Sequence, residues 1–327
     1  MKKRFRVVLT LCAALVLLAG CSAAPAPADP QAGGTNENES QSAEPQAKIS
    51  VCASFYPMYD FALKIGGDKA EVVNMVPAGI EPHDWEPAAA DIAGLEEADL
   101  FIYNGAGMEH WADSALAALG NEGLVVVEAA RGAVLLEGAL EDGEDEGGEH
   151  EGEGEYDPHV WLSPQGAKLE MENIKEGFAA ADPANRDYYE ANYSRYAAEL
   201  DALDREFQET LSPLPRKDVV VAHQAFGYLC AAYGLTQIPI EGLSADSEPD
   251  PARMAEIIEF AKERDVEVIF FEELVSPKVA ETIAEAIGAR TDALNPLEGL
   301  SDEETAAGAD YFSVMRQNLI ALTAALR

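Results

Sequence analysis

A short phrase occurs twice in the chain: Glu81-Pro82-His83-Asp84-Trp85 and Asp157-Pro158-His159-Val160-Trp161. Each reads acidic residue, Pro, His, any residue, Trp. The 327 residues include five histidines, and two of them sit in this setting. Proline fixes its own φ and pushes the residue before it out of the helical region, so each His is presented from a stiff, extended turn. Neutral imidazole is the commonest metal ligand at physiological pH, and a ligand gains from being held rigidly. The two turns therefore read as facing each other across one metal site. The plain alternative is two loop histidines beside two core tryptophans. A third histidine, His223, directly follows the buried-strand pattern Val219-Val220-Val221-Ala222, and open α/β sheets place ligands beyond the carboxyl ends of their strands. His83 follows the run Val72–Val76 by a short loop, and His159 precedes the helix start Ser163-Pro164. Three histidines at equivalent strand-end positions are thus expected to converge.

Three imidazoles suit zinc, whose structural sites are tetrahedral and four-coordinate. Candidates for the fourth ligand are Glu272 or Glu273, Asp292, and Glu298 in Asn295-Pro296-Leu297-Glu298-Gly299-Leu300. Glu298 shares the setting of the His turns, a post-proline loop, here before a helix start at Ser301. His110, in Met108-Glu109-His110-Trp111, is a candidate for a supporting place behind the ligands. Trp85 and Trp161 are expected to pack beside the metal turns.

The elements that must position these residues alternate. Candidate strands are Ile49–Ala53, Val72–Val76, Leu100–Tyr103, Leu124–Glu128, Val219–Ala222, Ile238–Ile240, Val266–Phe271 and Thr291–Leu294. Ser163-Pro164, Asp182-Pro183, Asp250-Pro251 and Ser276-Pro277 each put a capping residue before a proline suited to a first helical turn. Strand-helix alternation predicts an α/β fold of parallel sheets with helices on both faces. About 280 ordered residues exceed one comfortable core, so two lobes are expected. They are residues 48–181, with an acidic loop at 137–155, and residues 212–327. A single helix over 182–211 joins them. Its apolar residues Tyr189, Tyr193, Tyr196, Leu200, Leu203, Phe207 and Leu211 form one stripe at spacings of three and four. It is roughly 40 Å long, about the length of a domain. Such a stiff spine lets the lobes tilt but not open like a clam.

Residues 1–20 read as a signal peptide, with Lys2, Lys3, Arg4 and Arg6 before an apolar run too short to span a bilayer. The closing Leu18-Ala19-Gly20-Cys21 resembles a bacterial lipoprotein signal, which implies cleavage before Cys21 and lipid on its sulfur. The mature protein is then anchored outside the membrane, with residues 21–47 as a flexible tether poor in large apolar side chains. Removing residues 1–20 takes away four basic and no acidic side chains, so the formal charge moves from -38 to -42, 18 basic against 60 acidic. So acidic a surface argues against nucleic acid and anionic lipid and favours cations. Cys52 and Cys230 lie in apolar surroundings and are expected to be buried thiols.

From about residue 48 onward the chain resembles the zinc-binding solute-binding lipoproteins of metal ABC transporters, whose two lobes are joined by a rigid helix. The phrases that carry this are Glu81-Pro82-His83-Asp84-Trp85-Glu86-Pro87, Asp157 to Pro164, His223-Gln224-Ala225-Phe226-Gly227-Tyr228 and Asn295 to Leu300, in order. The resemblance implies that His83, His159 and His223 bind the metal and that Glu298 completes the site. It also implies a monomeric receptor that delivers Zn2+ to a membrane permease. Manganese- or iron-binding members are the alternative, but manganese-binding relatives tend to replace the third His by a carboxylate, and nitrogen-rich ligation favours zinc.

The loop at 137–155 departs from the family's His-rich pattern. It is built mainly of Glu, Asp and Gly and holds one histidine, His150, a composition that predicts disorder. A lipid-anchored zinc hydrolase is the rival from another class, and it requires an open zinc position. The chain has no His-Glu-x-x-His helix and no Gly-x-Ser-x-Gly elbow. A surface adhesin role has no separate domain to support it. Ligand imidazoles must be neutral to bind, so low pH is expected to favour release.

Overall fold

The computed structural model describes residues 47–138, 156–243, 251–272, 274 and 276–327. The predicted signal peptide and Cys21, the predicted tether up to residue 46, residues 139–155 of the acidic loop including His150, and Glu273 lie outside the described residues.

The first half runs β1 (Ile49–Ala53), α1 (Tyr56–Gly66), β2 (Ala70–Asn74), α2 (Ala89–Glu96), β3 (Leu100–Tyr103), α3 (Ala112–Ala118), β4 (Val125–Glu128) and α4 (Pro164–Ala181). After the spine α5 (Arg186–Leu211) come β5 (Asp218–Val221), α6 (Gly227–Tyr233), β6 (Thr236–Pro239), α7 (Pro251–Glu263) and β7 (Val268–Phe271). They are followed by α8 (Lys278–Ile287), β8 (Arg290–Ala293), α9 (Asp302–Ala307) and α10 (Tyr311–Ala325). All eight sequence-predicted strands form, shifted by up to two residues at their ends.

Both sheets are parallel and have the same order, β2-β1-β3-β4 and β6-β5-β7-β8. The inner strands are apolar runs because helices cover both faces. In each sheet the chain reverses direction of winding between its first and third strands, and loops after these strands flank a crevice. His223 and Glu272 follow β5 and β7 at this point of the second sheet, as Ser54 and Asn104 follow β1 and β3 in the first.

The helix starts follow their capping chemistry. Ser163 accepts from the Gly166 N–H at 3.0 Å, and Ser301 with Glu304 forms a reciprocal box that starts α9. At Asp182-Pro183 a single 3-10 turn precedes the spine, because the Asp182 carboxylate bonds the Asn185 amide and the Tyr189 hydroxyl instead of the first helical N–H groups. At Ser276-Pro277 the helix begins at Lys278, with no side-chain cap.

The spine carries buried Tyr189, Ala197, Leu200, Leu203, Phe207 and Leu211. It sits inside one continuous core that includes Val51, Phe61 and Phe178 from the first layer and Val219, Phe226 and Leu322 from the second. The last helix reinforces this. Tyr311 on α10 meets Phe61 on α1 edge-on at 5.0 Å, and Lys64 on α1 pairs with Asp60 at 2.8 Å and Asp310 at 3.0 Å. Cys52 and Cys230 are free buried thiols, and burial pushes them up to about 11 and about 12.

Candidate metal centre

His83 Nε2, His159 Nε2, His223 Nε2 and Glu298 Oε1 approach one another from four separate segments. Glu298 Oε1 lies 2.9 Å from His159, 3.3 Å from His223 and 3.4 Å from His83. Nε2 of His159 lies 3.2 Å from that of His83 and 3.4 Å from that of His223. The four residues offer ligand atoms that all fall within 4.8 Å of one another. Zinc–nitrogen and zinc–oxygen bonds of about 2.0–2.1 Å make a tetrahedron with edges of about 3.3–3.4 Å. Four of the five separations above fall within about 0.2 Å of that edge. The His159–Glu298 approach is the shorter one, as a hydrogen bond would be. The donor set therefore fits a closed, four-coordinate zinc ion.

Local chemistry builds each donor. In both repeated turns the acidic residue accepts from the N–H of the His two positions later, Glu81 at 3.0 Å and Asp157 at 2.9 Å. Asp157 also takes Nδ1 of His159 at 2.8 Å, and Glu272 takes Nδ1 of His223 at 2.6 Å. A carboxylate on the far ring nitrogen fixes the tautomer and leaves Nε2 to face the site. Glu298 sits after Leu297, whose φ of 61° is unusual for a branched side chain. The Asn295 side chain holds that turn by accepting from the Leu297 N–H at 2.7 Å, and Asn318 holds Asn295 in its turn.

The two repeated turns are not mechanical equals. His159 is fully buried, and its turn is tied to the second half of the chain. Trp161 Nε1 donates to the Pro296 carbonyl at 2.8 Å, and Tyr311 donates to the Trp161 carbonyl at 2.7 Å. The His83 side chain keeps 12% exposure, and among the described residues no carboxylate faces its Nδ1. So the expectation of equivalent strand-end histidines holds only for His223. His83 comes nine residues beyond β2 and His159 thirty-one beyond β4, each on its own proline turn, which sets direction without a strand.

The other sequence candidates separate cleanly. Glu272 is at the centre but lies behind His223 rather than among the four converging atoms. Asp292 pairs with Arg290 at 2.6 Å on the surface. His110 lies 3.8 Å from Glu86 and does not touch the cluster. Its neighbour Glu109 is half-buried and turned inward, accepting from Ser54, Asn104 and Gly105. Trp161 packs on His159 at 5.2 Å, whereas Trp85 packs on Trp111 at 5.4 Å. Asp157, Glu272, Asn104 and Glu109 were not singled out as supports by spacing, although the acidic residue of the repeat pointed to the first. A cavity of about 310 Å³ lies at the opposite ends of β5 and β7. It is lined by the three cations Arg216, Lys217 and Arg264, whose like charge repels a metal ion, and the metal-ligating group found among the described residues lies elsewhere.

The electrostatics follow from burial among opposed charges. For His159 burial disfavours the charged ring, but Asp157 and Glu298 outweigh it and hold the imidazole above its ordinary range. For His223 burial is likewise overcome by Glu272 and Glu298, which raise it well above. Burial dominates at His83 and lowers it. Burial also opposes charge on Glu298, yet His223, His159 and His83 hold it well below the carboxylate range. Burial and the Glu298 charge push Glu81 up to about 8. Below the raised values of His159 and His223, a proton on Nε2 of either ring competes with a metal for the same lone pair. A metal must displace it, so affinity is highest above those raised values and falls as pH drops through them. Competition titrations from about pH 8 to about pH 5 should weaken zinc binding by up to about tenfold per pH unit for each proton displaced. A flat profile would contradict this competition.

The model of one protein family, described as zinc-uptake complex component A, periplasmic (ZnuA), matches residues 51–325. The high-affinity zinc uptake system protein ZnuA of Bacillus subtilis (strain 168) is 42% identical over 331 residues, with 98% of each chain covered. The zinc-binding lipoprotein AdcA of Streptococcus pneumoniae (strain TIGR4) is 41% identical over 276 residues, 84% of this chain and 55% of AdcA. The chain thus spans about half the length of AdcA. The Zn(II)-bound ZnuA-like domain of S. pneumoniae AdcA superposes with a TM-score of 0.74 at 38% identity, covering 86% of this chain and 99% of that one.

Proposed function

The chain belongs to the periplasmic component A family of zinc-uptake complexes, and from that premise we propose that it captures Zn2+ through His83, His159, His223 and Glu298. As a solute-binding receptor it binds and releases its cargo without transforming it. The observation that carries the assignment is the near-tetrahedral spacing of three imidazole nitrogens and one carboxylate oxygen, all drawn from separate segments. Four protein donors leave no open position for a reacting water, which counts against a hydrolase. Three nitrogens and one oxygen favour zinc over manganese, which prefers oxygen-rich ligation.

The receptor works outside the cytoplasm and hands zinc to an ABC permease. Lipidation at Cys21 anchors a monomer to the membrane, with residues 21–47 as the tether. Loading joins the His83 turn to the more firmly held donors, and the permease distinguishes loaded from empty protein by that change. Binding to the native state alone stabilises it by about 2.7 kcal/mol at a hundredfold excess over Kd. Calorimetric melting of metal-stripped protein should therefore show a clear rise with zinc and a smaller one with equimolar manganese. An unchanged melt on zinc addition would overturn the proposal, and a larger rise with manganese would reassign the metal.

A further inference from the structure

The His159 turn is held by its own carbonyl oxygens. Asn104 Nδ2 donates to Pro158 O at 2.9 Å, and the Tyr228 hydroxyl donates to Asp157 O at 2.7 Å. Among the described residues nothing comparable grips the His83 turn, where Pro82 O accepts from the Trp85 N–H at 3.3 Å. Tyr228 stands out because of where it comes from. It lies on α6, five residues after His223, yet it bonds a turn 71 positions earlier in the chain. The same hydroxyl accepts from the Leu136 N–H at 3.0 Å, at the base of the acidic loop where Glu137 bridges Tyr156. The preceding residue completes the corner. A Cβ on Gly227 would come within 2.4 Å of Asp157 Oδ2, so glycine there lets the start of α6 close directly onto the carboxylate that orients His159.

We infer that Tyr228 is a positioning residue for zinc capture, fixing the Asp157 carbonyl so that His159 meets His223 at zinc-binding distance. The inference rests on the four-donor reading of the centre. Asp157 bonds both the N–H and Nδ1 of His159 through one oxygen. A shift of its backbone therefore moves the ring as well as the chain. Without the hydroxyl, the buried Asp157 carbonyl and the half-buried Leu136 N–H both lose a partner, and the turn is free to relax toward other partners. Loss of a partner that orients a metal-binding His weakens affinity by about 10- to 100-fold.

The test compares Tyr228→Phe with Tyr233→Phe in the whole metal-free protein. Tyr233 is a buried tyrosine of the same helix whose hydroxyl bonds Asp204 at 2.9 Å, so both changes remove one hydroxyl and keep the ring. Both should lower the melting temperature. Tyr228→Phe alone should weaken zinc by about tenfold or more and alter the visible absorption of the Co2+-loaded protein, because the tetrahedral field is distorted. Gly227→Ala, which pushes on Asp157 while leaving the hydroxyl bonds intact, should move the spectrum as well. Wild-type affinity and spectrum in Tyr228→Phe, or an equal zinc loss in Tyr233→Phe, would overturn the inference while leaving the four-donor centre standing. Failure of the wild-type protein to bind one zinc would overturn both.

Discussion

His223→Ala is expected to abolish tight zinc binding, weakening it at least about a hundredfold. Structural zinc sites bind with about 10–16 kcal/mol shared over four donors, so one donor is worth about 3 kcal/mol. The loss extends beyond the donor. His223 is fully buried, and its Nδ1 engages Glu272, itself only 3% exposed. Alanine leaves that carboxylate in the interior without its partner, which is costly for a charged group. The variant should therefore be less stable even without metal, and affinity must be read on folded protein by competition with a chelating dye. His110→Ala serves as the control. That ring sits near Glu86 on the surface, and its removal should leave the affinity unchanged. Wild-type affinity in His223→Ala would remove the third nitrogen from the centre, and with it the argument for zinc.

Glu298→Gln is the second large effect, also about a hundredfold in zinc affinity by the same division among donors. Glutamine keeps the shape and hydrogen-bonding length but withdraws the single negative charge among the converging atoms. The carboxylate is 2% exposed and stays ionised because His159, His223 and His83 surround it. Its replacement has a metal-free signature that separates a change of charge from a change of fold. The charge of Glu298 helps hold His159 and His223 above the ordinary imidazole range. In Glu298→Gln both rings should titrate lower, closer to His83, and imidazole NMR signals report this directly. Unchanged ring titration would mean that Glu298 does not face the histidines in solution.

Much of this centre was readable before any coordinates. His83 and His159 are marked by a repeated phrase, and proline turns advertise themselves in sequence. His223 is marked by the apolar strand before it. Glu298 shares the post-proline setting of the histidines, but spacing favours it only narrowly over Glu272, Glu273 and Asp292. The difference lies in which face of His223 each carboxylate approaches, a matter of three-dimensional packing between β7 and the Asn295–Leu300 loop. The strands were legible because parallel inner strands are near-continuous apolar runs. What sequence left hidden is long-range polar contact. Tyr228 to Asp157, Trp161 to Pro296 and Tyr311 to Trp161 join residues 71, 135 and 150 positions apart, and no local pattern encodes such pairs. They also change how the repeated phrase is understood. Its second copy is bonded to the second half of the chain, so His159, His223 and Glu298 form one firmly held group that His83 joins from outside.

The most direct test is anomalous diffraction at the zinc edge from crystals of the zinc-loaded protein. A single ion is expected at about 2.0–2.2 Å from Nε2 of His83, His159 and His223 and from a carboxylate oxygen of Glu298, with no water in its coordination sphere. An ion bound elsewhere, or held by the three histidines with Glu298 remote and water in the fourth position, would contradict the closed four-donor centre.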